Sequence, residues 1–291
     1  MKDIALLVGN GVNSLSKGIT WKELLAAIIQ FCDCPDLKDH EDKPFPLFYE
    51  EIFLTWVKKN PGIKEVELKQ FIAGKVLQIE PNEVHQLILA VAPANVMTVN
   101  YEFLLEGGTP ERHSGLINET LYSIFRQYLV DGIKYWHLHG DCKNAMSINL
   151  GYEHYSGQLQ RMRNYVTANI DYKSQKLLKT PLSRRLKDGN GELQVIQSWI
   201  DLFFVKDVHI IGLTLDFVET DLWWLLTYRA RQKAYKNHFP VKNEICYYIP
   251  EEYAEKANFK LKLLEANEVK VDIIKQPHGL DYYKEILDKL K

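Results

Sequence analysis

The apolar residues of the chain follow two alternating patterns. Short, mainly apolar runs end at glycine or polar clusters, and longer stretches repeat apolar residues at helical spacing. The short runs lie at 4–8, 94–98, 133–137, 208–211, 244–249 and 269–274. The continuous run at 4–8 predicts a strand buried on both faces, as in parallel sheets, and the others read as further strands. Helical spacing runs from Thr20, then around 47–59, 64–77 and 82–91, over 116–130, through 193–205, and from about 219 to 234 and 280 to 290. Thr20 with Glu23 three residues on spells a capping box at the first helix. The stretch 33–46, rich in proline and acids, predicts a loop.

Strands alternating with helices predict an α/β fold, a Rossmann-like and mostly parallel sheet with helices on both faces. The very long connection from first to second strand predicts a helical insertion at about 33–92, and a second follows at about 141–205. With these insertions, residues 1–291 read as one Rossmann-type domain. No repeat of solenoid period is visible.

Composition narrows the function classes. Hydrophobic residues make up 46% of 291, enough for a real core and against global disorder. Lys and Arg total 36 against 38 Asp and Glu, so the chain has no overall charge footprint for nucleic acid. A local excess remains at 153–190, with eight cations (Arg161, Arg163, Lys173, Lys176, Lys179, Arg184, Arg185, Lys187) against three acids. It reads chiefly as a solvated face, and nucleic-acid docking is the minority reading. The four cysteines are too scattered for a disulfide framework, and Cys32-x-Cys34 lacks the spacing of a zinc site. The first apolar run is too short for a signal sequence, and no stretch approaches the ~20 residues of a membrane span. A cytoplasmic protein without membrane attachment is expected.

In open parallel sheets, ligands sit outside the carboxyl ends of the strands. Those ends read GNGVN (9–13), TVNYE (98–102), WHLHGD (136–141) and GLTLD (212–216). Gly9 and Gly11 form a strand-to-helix G-x-G turn suited to close approach of a diphosphate, although Ser14 stands where a third glycine would complete the fingerprint. Asn100 either caps a helix or aims a polar group into a cleft. His137 and His139 alternate along one strand, which predicts that both face the same side of the sheet. A terminal His139 suits a general base, because its ordinary pKa lies near neutrality. His137 reads as a buried, hydrogen-bonded residue or half of a metal pair, and no third ligand stands at a recognised spacing.

Taken in order, GNGVNS, GITWKELL, TVNYE, HLHGD, GYEHY and IIGLTL followed by an acid resemble the sirtuin-like domain of bacterial antiphage-defence proteins. The same order is similar to abortive-infection proteins of the AbiH type. The resemblance implies that Gly9, Asn10, Gly11 and Asn13 form the turn at the NAD diphosphate. It likewise implies Asn100 and Glu102 at the nicotinamide ribose, His139 as base, and Gly212 with Thr214 on a late turn over the dinucleotide. Asn100 and His139 are thus the expected catalytic pair. Deacylating sirtuins carry a zinc ribbon between the H-G and G-x-S segments, whereas 141–211 here contains Cys142 alone, which argues against protein deacylation. The implied activity is hydrolysis of NAD to ADP-ribose and nicotinamide, with NAD as substrate and no metal, in antiphage defence by NAD depletion. A defence-system partner or a homo-oligomer would supply the trigger. Two other readings stay open: a catalytically silent NAD- or ADP-ribose-binding module, and a nucleic-acid-associated defence subunit acting through 153–190.

Overall fold

In a computed structural model the chain is described at residues 1–39, 43–117, 119–235 and 239–291. His40–Asp42, inside the expected loop at 33–46, and Asn118, inside the expected helix at 116–130, lie outside the described residues.

The six apolar runs all become strands: β1 (Lys2–Val8), β2 (Pro93–Thr98), β4 (Ile133–His137), β5 (Asp207–Ile211), β6 (Ile245–Pro250) and β7 (Lys270–Ile274). A short strand, β3 (Tyr128–Val130), adds itself at one edge. The order is β3-β4-β2-β1-β5-β6-β7, and every pairing is parallel except β3 with β4. The sheet is therefore mostly parallel and Rossmann-like, as the run pattern predicts. β1 pairs with β2 on one side and β5 on the other, so the chain changes direction across the sheet at β1.

Successive residues of β1 explain why its apolar run shows no alternation. Ala5 and Leu7 enter one core and Leu6 and Val8 the opposite one. The first core is closed by α5 (Tyr152–Thr167), α6 (Leu182–Asp188), α7 (Trp199–Val205), α8 (Thr220–Ala234) and α10 (Asn258–Ala266). The second is closed by α4 (Glu83–Val91) and α11 (Leu280–Lys289). A short helix, α9 (Glu251–Ala254), follows β6.

A third core joins α1 (Trp21–Phe31), α2 (Phe45–Lys59) and α3 (Glu65–Val76) with Ile148 and Leu150. The helices expected at about 33–92 thus divide. α2 and α3 join α1 in this body, while α4 packs on the sheet. The capping box of α1 is present: Thr20 Oγ1 accepts from the Glu23 amide and the Glu23 carboxylate accepts from the Thr20 amide.

Three expectations need correction. Among the described residues of 116–130 there is no helix, and Tyr128–Val130 is the strand β3. The Glu119 carboxylate accepts hydrogen bonds from the amides of Ile124, Phe125 and Arg126, at 2.9, 2.7 and 2.9 Å, and this wraps the chain into a turn instead. Helical spacing at 193–205 yields only α7, which begins where Ser198 caps it. The strand β4 ends at His137, and His137 packs on Phe103 and Tyr128 while His139 packs on Tyr155 and meets Asp221, so the two do not share a face. Among the described residues no helix is long and apolar enough to cross a membrane.

Candidate active site

Four strand ends converge on one cavity of about 300 Å³. Asn10 follows β1, Asn100 and Glu102 follow β2, His139 follows β4, and Thr214 and Glu219 follow β5. Trp21 and Phe45 from the helical body line it too, packed edge-on at 4.6 Å. Of the residues expected from the sequence, Asn10, Asn100, Glu102, His139 and Thr214 line the cavity. Gly9, Gly11, Asn13 and Gly212 are not among the lining residues.

The glycine turn is shaped by its neighbour strand. The Gly9 amide donates to Ile211 O at 2.9 Å and the Gly11 amide to Gly212 O at 2.7 Å. A Cβ on Gly9 would lie 2.4 Å from Gly212 O, and one on Gly11 would lie 2.7 Å from it. Both glycines are thus required by the backbone of the late turn, where Gly212 itself has φ +62°. Asn13 works as a strut. His85 accepts the Asn82 amide on Nδ1, so its Nε2–H donates to Asn13 Oδ1 at 3.1 Å. Asn13 Nδ2 then donates to Asn10 Oδ1 and to Glu102 Oε1, both at 2.9 Å. Burial raises the pKa of the Glu102 carboxyl, and the Asn13 bond opposes the rise.

Asn100 caps no helix. Its backbone is tied down while its side chain is left free. The amide donates to Thr98 Oγ1 at 3.0 Å, and Asn100 O accepts from His137 Nδ1 at 2.8 Å. Both side-chain atoms, Oδ1 and Nδ2, are buried without a partner among the described residues. Unpaired buried amides are costly, on the order of 1–3 kcal/mol for each group, so this one is held ready for something. His137 is the satisfied core histidine. Its Nε2 meets Glu106 Oε1 at 2.8 Å, and although burial lowers its pKa, the Glu106 charge outweighs that and lifts it to about 9.

His139 is 2% exposed and turns away from His137. Its Nε2 lies 3.0 Å from Asp221 Oδ2, and its ring meets the Tyr155 ring edge-on at 5.1 Å. Gly140 makes the turn after it: φ is +86°, and a Cβ there would strike Ser147 O at 2.0 Å. Burial disfavours a charged imidazole at His139, but the carboxylates of Asp221 and Glu219 overcome this and raise its pKa. Glu219 is a further titrating group of the wall. Burial pushes its carboxyl up to about 7, His139 opposes the rise, and Asp221 and Asp216 add to it. Its Oε2 is buried and unpartnered among the described residues.

The cavity therefore joins a neutral unpaired amide, an imidazole backed by a carboxylate, acids with raised pKa values and an aromatic wall. No lysine or arginine is among the lining residues described. Such a set suits a ligand with positive character and a reaction that moves one proton. Sequence reasoning missed Glu219, Asp221 and Tyr155. The two acids open α8, where acids usually read as complements to the helix dipole.

Within 153–190, Arg161 pairs with Glu119 at 2.7 Å, Arg185 with Asp201 at 3.5 Å, Lys179 with Asp171 at 2.7 Å and Arg184 with Asp188 at 3.0 Å. Arg161 and Arg185 are thus tied to buried acids of the fold, whereas the other two pairs lie on the exposed surface. Cys32 and Cys34 are buried free thiols. Among the described residues no group of three or more His, Cys, Asp or Glu is arranged to hold a metal ion. Neither a scan of protein-family models nor a search of curated proteins returns a match to this chain.

Proposed function

We propose that the chain hydrolyses the N-glycosidic bond of NAD, releasing nicotinamide and ADP-ribose. The observation that carries this reading is the unpaired, buried Asn100 amide lining the same cavity as a carboxylate-backed His139. That cavity lies at the carboxyl ends of strands flanking the switch point, where open α/β sheets take dinucleotides. Its size falls at the low end of ligand pockets and suits the nicotinamide-ribose half, with the rest of the dinucleotide running beyond it.

The reaction develops positive charge on the ribose as the bond to the pyridinium nitrogen breaks. Asn100 orients the ribose hydroxyls or the attacking water, and His139 takes the proton from that water. The acidic wall of Glu102 and Glu219 favours the cationic ring and the cationic transition state over an anion. The cellular setting we attach to the activity is NAD depletion during phage infection, triggered by a partner protein or by self-association, and it rests on the order of sequence motifs.

Incubation with NAD and detection of free nicotinamide tests the reading. Asn100→Ala and His139→Ala should each cut the rate by about 10²–10⁴-fold. Because both act on one transition state, the double variant should be little slower than the worse single one. Asn100→Ala should keep its melting temperature, since the amide bonds nothing, whereas His139→Ala should lose some because Asp221 is left buried without a partner. A wild-type protein that binds ADP-ribose yet frees no nicotinamide is a binding module instead.

A further inference from the structure

Asp221 is fully buried in the first turn of α8, five residues beyond the 212–216 strand end and outside every motif read as chemical. One carboxylate oxygen, Oδ2, meets His139 Nε2 at 3.0 Å, and the other, Oδ1, is buried without a partner among the described residues. A carboxylate that served only to cap its helix would bond the helix amides, as Ser198 and Asn82 do at theirs. Asp221 bonds the imidazole instead. His139 Nδ1 makes no hydrogen bond among the described residues, while the residue itself lines the cavity.

We propose that Asp221 is the positioning residue of the reaction, holding His139 as the Nε2–H tautomer so that the Nδ1 lone pair is the base presented to the cavity. This rests on the NAD-hydrolase reading above. In the step, the C1′–N1 bond breaks and its electron pair passes to the pyridinium nitrogen, which leaves as neutral nicotinamide. Water oxygen forms the new bond to C1′, and its proton goes to His139 Nδ1 and then to solvent. The imidazolium that forms is held against the Asp221 carboxylate, so its charge is compensated where water is excluded. The same division of labour, a buried carboxylate fixing the tautomer of a histidine base, is the established logic of catalytic triads. Without Asp221 the ring could rotate or carry its proton on Nδ1, and the lone pair would face the wrong way.

The experiment follows nicotinamide release by Asp221→Asn and Asp221→Glu from pH 5.5 to 9.5, beside ADP-ribose binding by calorimetry. Asp221→Asn should lower kcat by about 10²-fold or more with KM changed by less than about threefold. Its acid limb should also move to lower pH, because the charge that favours the imidazolium has gone. Asp221→Glu should recover part of the rate. A purely structural Asp221 would lower stability and leave the pH profile of the surviving activity in place, and that outcome overturns the proposal. So does an Asp221→Asn protein with full kcat. Should Asp221→Asn not fold, nitrogen chemical shifts of His139 in the wild type still decide: Nε2–H at high pH is the expected tautomer, and Nδ1–H refutes it. A wild type that releases no nicotinamide removes the hydrolase reading itself, a result distinct from an active enzyme indifferent to Asp221.

Discussion

Glu219 carries its carboxyl in the cavity wall, where burial raises the pKa to about 7 from an ordinary 4.5. A folded-state pKa above the unfolded one favours folding fully below pH 4.5, and that benefit is lost as pH rises through 7. Glu219→Gln stays neutral throughout, so its melting temperature should exceed the wild type's above pH 7 and match it near pH 4.5. Thermal unfolding across that range checks this, and a pH-independent difference would refute it. His137 follows the same sign for a different reason. Its imidazole is lifted from 6.5 to about 9 by Glu106 against the cost of burial, so its contribution is complete below pH 6.5 and disappears as pH rises through 9. That contribution is on the order of 3 kcal/mol. His137→Gln should therefore be less stable than wild type at pH 6, with the gap narrowing towards pH 9.5, as read by urea denaturation at each pH. The two histidines, two residues apart, thus divide into one that braces Asn100 from behind and one that faces the cavity.

At the level of elements, most of the fold was legible because six of the seven strands show as short, mainly apolar runs and α1 carries its cap in plain text at Thr20 and Glu23. The illegible part is where side chains replace the backbone ladder. Residues 116–130 carry Leu116, Ile117, Leu121, Ile124 and Phe125 at near-helical spacing, and this pattern competes with a single carboxylate that no local rule anticipates. Glu119 offers Oε2 to three consecutive amides and Oε1 to Arg161, and the Arg126 beside them binds Asp141 at 2.7 Å. Glu119→Ala should cost at least ~3 kcal/mol, since it strands three buried amides and leaves Arg161 without its acid. Chemical denaturation measures this, and a loss under ~1 kcal/mol would show that water takes over the role. The junction of β1 with β5 has the opposite lesson. Its glycines were legible, but their structural reason lies in the opposing Gly212 turn, so a side chain placed at Gly9 or Gly11 reads packing before it reads binding.

Across the whole molecule, Asn100 and His139 could be found because each stands just beyond a strand that announces itself. The Asp221 that meets His139 lies 82 residues away, and only the return of β5 to the other side of β1 makes them neighbours. Nothing in local spacing encodes that meeting. The same topology has a consequence for how the protein comes into being. β1 precedes the other six strands of the sheet in the chain, yet one of its edges waits for β5, whose Asp207–Ile211 pairs with Ile4–Val8. Asn100 and His139 leave the ribosome well before α8 does, so a growing chain holds amide and imidazole but not the carboxylate behind them. For a chain proposed to hydrolyse NAD, the cell that translates it meets no finished active site until α8 has been delivered.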